Sequence, residues 1–396
     1  MPELVVVADD LSGASEAAAA FLLRTTRISV LLRSGVPSTS SRVVAVDSDS
    51  RGSSPADAAD RVKSALDSCA GVPVLKKVDS LLRGNLASEV AALRDLLGVL
   101  PVVATALPAA GRVVVDGVLR VHGVPLHDTR LWHAEERAVP RTVAHALSPI
   151  ETVPVPLAAV RDGVGALARL LAAAASARLL AVCDAETDAD LDVVHAAARL
   201  VTDRPLLVGS AGLAAAAARA MAPDPQWRAE PLPTARSVLV VAGTAAPAIE
   251  TQLAALAPEA DVVVRLDPQL LLNDPSAVGR ELAARTADAR CAVLSLDGGA
   301  GLRPDLAARL TTALADAVAP SAADGRALIL TGGATARAVL DRLGVERLRP
   351  VAEREQAVLS TTGTGQVVVT RPGSFGGPES LIELVHTVLS WNEEPR

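Results

Sequence analysis

The chain has 396 residues, a formal net charge of −7 at pH 7 and a pI near 5.5. A chain of this length exceeds what one hydrophobic core usually organises, so we expect two domains. The acidic balance, together with an aromatic content of 1%, argues against nucleic acid as a partner. The three cysteines are widely scattered, which indicates neither a disulfide framework nor a thiolate zinc site.

The first residues, MPELVVVADD, lack a basic segment, and Asp9 interrupts their apolar run. This pattern predicts a buried strand, not a signal peptide. The most apolar window, 164–183, carries Arg169 and Arg178, which are costly within a bilayer. We therefore expect no membrane partner and a cytoplasmic location, in keeping with the absence of any disulfide pattern.

Short β-type runs alternate with longer Ala- and Leu-rich helical runs, as in parallel sheets covered by helices. In the first half, strands are predicted at 4–8, 28–32, 43–46, 72–77, 102–106, 179–182 and 205–209. Helices are predicted to begin near Ser12, Pro55, Asn85, Asp162, Asp188 and Ser210. Residues 111–126 differ, because two β-branched runs flank Asp116-Gly117, a dipeptide favoured in tight hairpin turns.

The stretch 222–237 contains four prolines and neither a helical nor a strand period, which predicts an interdomain linker. Beyond it, strands are predicted at 237–243, 262–266, 291–296, 327–333 and 367–371. We place the domains at 1–222 and 237–392, with the linker at 223–236. The predicted fold class is α/β, with two domains of mainly parallel sheets flanked by helices and a cleft between them.

The segment LKKVDSLLRGN, 75–85, carries two of the three lysines of the chain at the end of a predicted strand. Ligands of α/β proteins bind at such strand ends. Strand alternation would direct Lys77 and Asp79 to one side and Lys76 to the other. Arg83 offers a planar fork suited to a carboxylate or phosphate. The alternative is a charged strand end capped by Asn85.

Two adjacent carboxylates, Asp9 and Asp10, follow the first strand in ADDLSGA, where Ser12 or Gly13 opens a helix. Adjacent residues point to opposite faces, so one carboxylate is expected in the site while the other caps the helix. Capping by both is the alternative. Phosphatases of the haloacid dehalogenase type need an intervening residue between the two carboxylates, so this spacing disfavours them.

Three glycine-rich turns follow predicted strands in the second domain: AGT at 242–244, LTGGATA at 330–336 and RPGSFGG at 371–377. One such turn is compatible with tight packing alone, but three favour a nucleotide site at helix N-termini. The sequence contains neither a GxxxxGK[ST] nor a GxGxxG motif, and no GxSxG elbow. A P-loop, a dinucleotide fold and a serine hydrolase are therefore disfavoured.

These motifs together resemble the four-carbon acid sugar kinase family, nearly from end to end. The resemblance is carried by VVADDLSGASEAA, DSDSRG, KKVDSLLRGN, LPAAGRVVVDGVLRVHGVPLHDT, TGGATARAVLDRLG and RPGSFGGPESL. It implies an N-terminal domain that binds the acid sugar through Asp9, Asp10, Lys77, Asp79, Arg83, Gly84 and Asn85. It also implies a C-terminal domain that binds ATP through Thr244, Gly332, Gly333, Ala334, Thr335 and Gly373.

The resemblance implies phosphorylation of a hydroxyl of threonate, erythronate or an oxo-tetronate, with ATP and Mg²⁺; the metal ligands are unknown. We expect Arg83 and Lys77 to anchor the substrate carboxylate or the phosphoryl group, and Asp79, or failing that Asp10, to orient or deprotonate the hydroxyl. Ala334 stands where the family usually has Asp or Glu.

Two alternatives remain open at this point: a non-catalytic regulator that binds a sugar acid or nucleotide, and an enzyme that acts on a related acid sugar without ATP. The oligomeric state is also open, with a homo-oligomer as one alternative.

Overall fold

The computed structural model describes residues 2–32, 40–67, 71–132, 135, 137–228, 230–243, 247–297, 304–322, 325–354, 356–373 and 376–389. The chain forms two compact units, residues 1–227 and 228–396. The boundary falls in a stretch of described residues that has neither helix nor strand. Within these ranges, no helix combines the length and the apolar character needed to cross a bilayer.

The first unit contains an eight-stranded sheet in which every neighbouring pair is parallel. Its strands are β1 (Leu4–Ala8), β2 (Ile28–Leu31), β3 (Val43–Asp47), β4 (Val74–Lys77), β5 (Pro101–Ala104), β9 (Thr152–Val155), β10 (Leu180–Cys183) and β11 (Leu206–Gly209). The order is β2-β3-β1-β4-β11-β5-β10-β9. A separate antiparallel sheet contains β6 (Arg112–Val115), β7 (Val118–Val121) and β8 (Val124–Pro125).

Helices connect the strands of this unit: α1 (Leu11–Ala19), α2 (Pro55–Ser64), α3 (Leu86–Leu97), α4 (Val143–Ala146), α5 (Leu157–Arg161), α6 (Val164–Ser176), α7 (Asp188–Val201) and α8 (Ala211–Ala220). All residues of β1, β3 and β4 are buried. Such burial is typical of parallel strands covered on both faces, and it explains why these runs are apolar without alternation.

The strand order of the first unit places a switch point at β1. The chain continues from β1 towards β2 and β3 on one side and later returns to β4 on the other. In open α/β sheets, a crevice forms outside the carboxyl ends of the strands where the connections diverge in this way. Asp9 and Asp10 follow β1 at this edge, and Asp79 follows β4.

The second unit contains the strand order β13-β14-β12-β15, which has the same sequence of connections as β2-β3-β1-β4 in the first unit. The strands β18, β17 and β16 follow β15 in this sheet. The strands are β12 (Val238–Ala242), β13 (Val262–Leu266), β14 (Cys291–Leu296), β15 (Ala327–Thr331), β16 (Arg347–Arg354), β17 (Ala357–Thr362) and β18 (Val367–Arg371). The helices are α9 (Pro247–Leu256), α10 (Pro268–Asn273), α11 (Pro275–Thr286), α12 (Pro304–Ala322), α13 (Gly333–Arg342) and α14 (Ser380–Leu389). Aliphatic side chains from α9, α14 and the central strands form its core.

The predicted alternation of strands and helices is confirmed, with shifts of one or two residues at most element ends. The hairpin around Asp116-Gly117 is confirmed as well, with positive φ at both turn residues. Three strands were not predicted: β9, which begins with Thr-Val-Pro, and the antiparallel pair β16 and β17. Helix α1 begins at Leu11, one residue before the predicted start, because the Asp10 carboxylate caps it.

One charged pair lies inside the first unit. Lys76, on the side of β4 opposite Lys77, is fully buried, and its Nζ lies 2.9 Å from Oε2 of Glu89 on α3. Glu89 also accepts a hydrogen bond from the Ser50 hydroxyl. Neither charge is accessible to water, so each is stabilised by its partner. The pair joins β4 and α3 below the loop that carries residues 79–85.

We predict that Lys76→Met lowers the free energy of unfolding of the first unit by about 3–5 kcal/mol, because it leaves the Glu89 carboxylate buried without its counterion. Urea unfolding would measure the change. The double variant Lys76→Met/Glu89→Leu should lose much less than the sum of the two single changes, since it removes both charges together.

The matched control is Lys63→Met on α2. Lys63 and Asp60 form an ion pair at 3.4 Å, with side-chain exposures of 45% and 80%. Exposed pairs contribute about 0–1 kcal/mol, so this variant should unfold almost as the native chain does. Equal losses for Lys63→Met and Lys76→Met would contradict the stabilising role of the buried pair.

Candidate active site

Arg51 joins the two carboxylates that follow β1. Its Nε and Nη2 donate to Asp9 at 2.8 and 3.0 Å, and its Nη1 donates to Asp10 Oδ2 at 2.6 Å. Asp9 is 2% exposed, so it depends on this guanidinium for its counterion. The other Asp10 oxygen accepts from Gly13 N at 2.7 Å. Asp10 therefore both caps α1 and contacts Arg51, whereas the sequence analysis divided these roles between two residues.

Asp79 organises the loop that follows β4. It accepts from Arg83 Nε at 2.9 Å and from Arg83 Nη2 at 2.7 Å, a two-pronged charge-assisted contact. It also accepts from the backbone amide of Leu81 at 3.0 Å. Arg51 Nη2 lies 3.7 Å from Asp79 Oδ1. The ion pairs thus run without interruption from Arg83 through Asp79 and Arg51 to the carboxylates after β1.

Gly84 and Asn85 position Arg51. An ideal Cβ on Gly84 would lie 3.3 Å from both Arg51 Cγ and Asp9 Oδ2, and Gly84 has φ +87°, so only glycine fits this approach without strain. The Asn85 amide donates to the carbonyls of Ser50 and Ser53 at 2.9 and 2.8 Å. Asn85 therefore fixes the backbone on both sides of Arg51. It makes no side-chain cap of α3, contrary to the alternative considered above.

Lys77 lies beside the carboxylates at the N-terminus of α1. Its Nζ is 3.3 Å from Glu16 Oε2, and an ideal Cβ on Gly13 would be 3.1 Å from that nitrogen. Burial lowers the pKa of Lys77, but the charges of Glu16, Asp9 and Asp10 outweigh it and raise the pKa above its usual value. Lys77 is therefore a permanent cation at this edge of the sheet, on the side predicted from the strand alternation.

The carboxyl groups have different affinities for a proton. Burial, reinforced by the neighbouring Asp9, raises the pKa of Asp10 despite the charge of Arg51. Burial also acts on Asp79, but Arg83 and Arg51 outweigh it and hold the pKa of Asp79 far below its usual range. Arg51 and Lys76 likewise lower the pKa of Asp9. Of these three carboxyl groups, Asp10 is the one suited to accept a proton.

Arg51 is the residue of this cluster that the sequence analysis did not assign to the site. Its motif, DSDSRG, follows β3 at the same edge of the sheet as Asp9 and Lys77. The polar run that directly follows buried strand β3 could have indicated that Arg51 belongs to the site. The sequence could not show that the Arg51 side chain turns back towards β1, because that direction depends on the contacts of Gly84 and Asn85.

A cavity of about 590 Å³ adjoins the other side of this loop. Gly84, Asn85 and the first turn of α3 line it together with Trp132, Arg137 and Ile150. Arg137 donates to Asn85 Oδ1 at 2.8 Å. None of the three aspartates lines this cavity, so it and the carboxylate cluster are different features that share the backbone of residues 84 and 85.

In the second unit, the predicted nucleotide residues surround the start of α13. Gly332 is the N-cap, with φ +97° and no side chain to cap the helix, so amides of the first turn remain available to a ligand. The Gly332 amide donates to the Arg371 carbonyl at 2.9 Å, which joins the ends of β15 and β18. Gly333 is half-buried and Ala334 is exposed in this first turn.

Thr335 packs against the end of β12. It is 4% exposed, and an ideal Cβ on Gly243 would lie 2.2 Å from its hydroxyl oxygen. Gly243 is therefore required for this close packing. Thr244 lies outside the described residues. Gly373 is half-buried two residues after β18, on the chain that continues from Arg371.

The glycines of GSAGLA in the first unit have a packing role. Ideal Cβ atoms on Gly209 and Gly212 would lie 2.3 Å from the Ala104 carbonyl and 2.6 Å from the Ala106 carbonyl. Glycine at these two positions lets the start of α8 approach the chain after β5. Both glycines are therefore explained by this close packing.

Among the residues that the structure describes, no group of three or more His, Cys, Asp or Glu side chains could hold a metal ion. The carboxylates of Asp9, Asp10 and Asp79 are directed at guanidinium groups. The described side chains therefore do not provide a dedicated protein cage for Mg²⁺.

Family models match both halves of the chain. A model described as a sugar-binding N-terminal domain matches residues 4–217, and one described as a nucleotide-binding C-terminal domain matches residues 239–381. The carboxylate cluster lies within the first match and the start of α13 lies within the second.

Curated relatives extend this similarity over most of the chain. A D-threonate kinase of Cupriavidus necator is 33% identical over 402 residues, covering 95% of this chain and 96% of that protein. A 3-oxo-tetronate kinase of Methylobacterium radiotolerans is 31% identical over 77% of this chain and 78% of its own length.

A solved structure from Salmonella typhimurium, described as a putative tRNA synthase, superimposes with a TM-score of 0.79 and 22% identity. It covers 97% of this chain and 99% of its own, and at that identity the likeness concerns the fold alone. The family models and the relatives carry the assignment further: the chain belongs to the four-carbon acid sugar kinase family.

Proposed function

We propose that the protein transfers the γ-phosphoryl group of ATP to a hydroxyl of a four-carbon sugar acid, with D-threonate as the first candidate. The observation that carries this proposal is the cluster at the ends of β1, β3 and β4, where Arg51 binds Asp9 and Asp10. Carboxylates and cations fixed at one sheet edge suit a small polyhydroxy acid. The relatives named as threonate and oxo-tetronate kinases support this substrate class.

Asp10 is the proposed general base. The substrate hydroxyl attacks the γ-phosphorus, the new O–P bond forms as the bond to the β,γ-bridging oxygen breaks, and Asp10 takes the hydroxyl proton. The raised pKa of Asp10 favours this role. Asp79, first considered for it, is a weaker base because Arg83 and Arg51 stabilise its anion, and we assign it to holding these arginines.

The start of α13 is the proposed phosphate site of the nucleotide. Its glycine cap and first-turn amides, in the segment Gly332–Thr335, favour an anion at the positive end of the helix. Mg²⁺ commonly reaches such enzymes bound to the nucleotide phosphates, with few protein ligands. The described residues offer no dedicated cage for the ion.

The non-catalytic regulator considered at first rested on Ala334, which stands where the family usually has an acidic residue. The relatives named as kinases match both halves of the chain at 31–33% identity, which supports the kinase over the regulator. Ala334 is exposed in the first turn of α13, where backbone amides can contact phosphate without help from a side chain.

The proposed function predicts ADP release when the protein is mixed with Mg²⁺-ATP and one member of a panel of D- and L-threonate, D- and L-erythronate and their oxo forms. A coupled assay for ADP measures it, and the mixture without acid gives the background. If no acid raises ADP release above background while ATP binds, the proposed substrate class is wrong.

The assignment of the base predicts that Asp10→Asn lowers kcat by roughly 10²–10⁴-fold with a small change in KM, because its contribution arises in the transition state. The native enzyme should lose kcat/KM as the pH falls through the raised pKa of Asp10, since the base must be ionised. Steady-state kinetics across pH would measure both effects.

The matched comparison is Asp79→Asn, which frees the Arg83 fork and should act mainly on KM. If Asp79→Asn abolishes turnover and the acid limb of the pH profile while Asp10→Asn retains them, the two roles are reversed.

The phosphate site predicts that Gly332→Ala raises the KM for ATP by roughly tenfold or more, about the value of one charge-assisted hydrogen bond. Gly344→Ala is the control, because Gly344 follows the same helix at its far end, also has a positive φ of 70°, and has open space around it. Both substitutions strain the backbone, but only the first changes the phosphate site. Equal KM values for ATP in the two variants would contradict this site.

A further inference from the structure

The side-chain amide of Asn85 has a donating end and an accepting end, and the residue is only 3% exposed. Its nitrogen donates to the carbonyls of Ser50 and Ser53 at 2.9 and 2.8 Å. Rotation of the amide by half a turn would bring its oxygen against these two carbonyl oxygens, and no hydrogen bond could form between them. The hold of Asn85 on the backbone around Arg51 therefore depends on which way its amide is turned.

Arg137 lies at the accepting end of this amide. Its Nη2 donates to Asn85 Oδ1 at 2.8 Å, and its Nη1 donates to the Gly84 carbonyl at 3.3 Å. A guanidinium carries donors and no acceptor, so it can face only the oxygen of the amide. A water molecule in its place could donate or accept, and would satisfy this end of the amide in either orientation. Arg137 thus favours the one orientation in which Asn85 holds both carbonyls.

The part of the chain that follows β8 contacts the loop 79–85 at a second point. Trp132 Nε1 donates to the carbonyl of Leu81 at 2.8 Å. The Leu81 amide in turn donates to Asp79 Oδ2 at 3.0 Å. Trp132 and Arg137 therefore hold this loop at two separate points, from a part of the chain that lies outside the eight-stranded sheet.

On these grounds we propose that Arg137 is a positioning residue of the active site, which fixes the Asn85 amide and through it the guanidinium of Arg51 at the carboxylates after β1. The described hydrogen bonds of Arg137 are with Gly84 and Asn85, so it acts on Arg51 through the backbone. Its consequence for catalysis rests on the proposed function, in which Asp10 is the base and Arg51 contacts that base.

The protonation of Asp10 would report a change in the position of Arg51. The groups that act most on Asp10 are its burial, Arg51, Asp9, Lys77 and the Gly13 amide. Arg51 stabilises the carboxylate and so opposes the effect of burial, which raises the pKa. When Arg51 loses its fixed position, the pKa of Asp10 should rise further above its usual value. The acid limb of kcat/KM then moves to higher pH, which a loss of folding stability alone does not produce.

Arg137→Met tests this role, because it removes the guanidinium and keeps an apolar stem in the wall of the cavity. It should lower kcat/KM for D-threonate, or for whichever acid of the panel is turned over, by about tenfold on the acid limb, the value of one charge-assisted hydrogen bond. At pH values above the limb the loss should be much smaller, since the base is ionised there in both proteins. Arg137→Lys should restore most of the native profile, because an ammonium group also only donates.

Arg141→Met is the matched control. Arg141 is exposed, as Arg137 is, and its described hydrogen bond is made by its backbone amide to His145 Nδ1. The substitution removes the same charge from the same part of the chain, so it should leave the pH profile as in the native protein. Both variants should unfold at nearly the native urea concentration, because substitutions of exposed side chains change stability little.

The pKa of Asp10 can also be measured without turnover, by carboxyl-carbon NMR of protein labelled at aspartate, with the Asp10 signal identified by its loss in Asp10→Asn. A higher pKa in Arg137→Met than in the native protein and in Arg141→Met supports the positioning role. If that shift is found while no acid of the panel is phosphorylated, the proposed function fails and the positioning of Arg51 stands.

Three results would overturn the role of Arg137. The first is an unchanged pKa of Asp10 in Arg137→Met, and the second is an equal shift in Arg141→Met, which would indicate a general effect of charge. The third is a loss of folding stability in Arg137→Met without movement of the acid limb, which would indicate a structural role alone.

Discussion

The site of the first unit depends on the contact between Arg51 and the carboxylates that follow β1. Asp9 is almost fully buried, and three aspartates close together would repel one another without a cation among them. Arg51 supplies that cation, and its own pKa is raised because Asp10, Asp9 and Asp79 outweigh its burial. Gly84 leaves room for its side chain, and Asn85 fixes its backbone. Gly84 and Asn85, which end the motif KKVDSLLRGN, thus both position the guanidinium of Arg51.

Much of the fold could be predicted from the sequence because parallel strands buried on both faces are continuous apolar runs. The antiparallel pair β16 and β17 escaped prediction because its residues are mixed: β16 reads RLRPVAER and has an irregular register around Pro350–Ala352. β9 contains a proline and lies at an edge of the sheet. Both cases depend on pairing between strands, which a local pattern does not record.

For the site, the sequence indicated which residues gather at the strand ends, but not which partner each one contacts. Lys77 and Asp79 could be placed on one side of β4 from alternation alone. That Arg83 folds back onto Asp79, four residues earlier, follows from a loop in which Leu82 adopts a positive φ of 62° and Gly84 one of 87°. Such a backbone path is set by tertiary contacts, so the pairing of Arg83 with Asp79 could be identified only in the structure.

The ion pairs of this cluster also bear on how the first unit folds. Arg51 lies 41 residues from Asp10, and the Asp79 it approaches follows yet another strand. The three segments meet only when β1, β3 and β4 have adopted their parallel register, which closes long loops and is intrinsically slow. Until that step, the aspartates and arginines are separate, hydrated side chains. The raised pKa of Asp10, which depends on burial in this cluster, is therefore acquired late, and its titration would report the completion of the sheet during refolding.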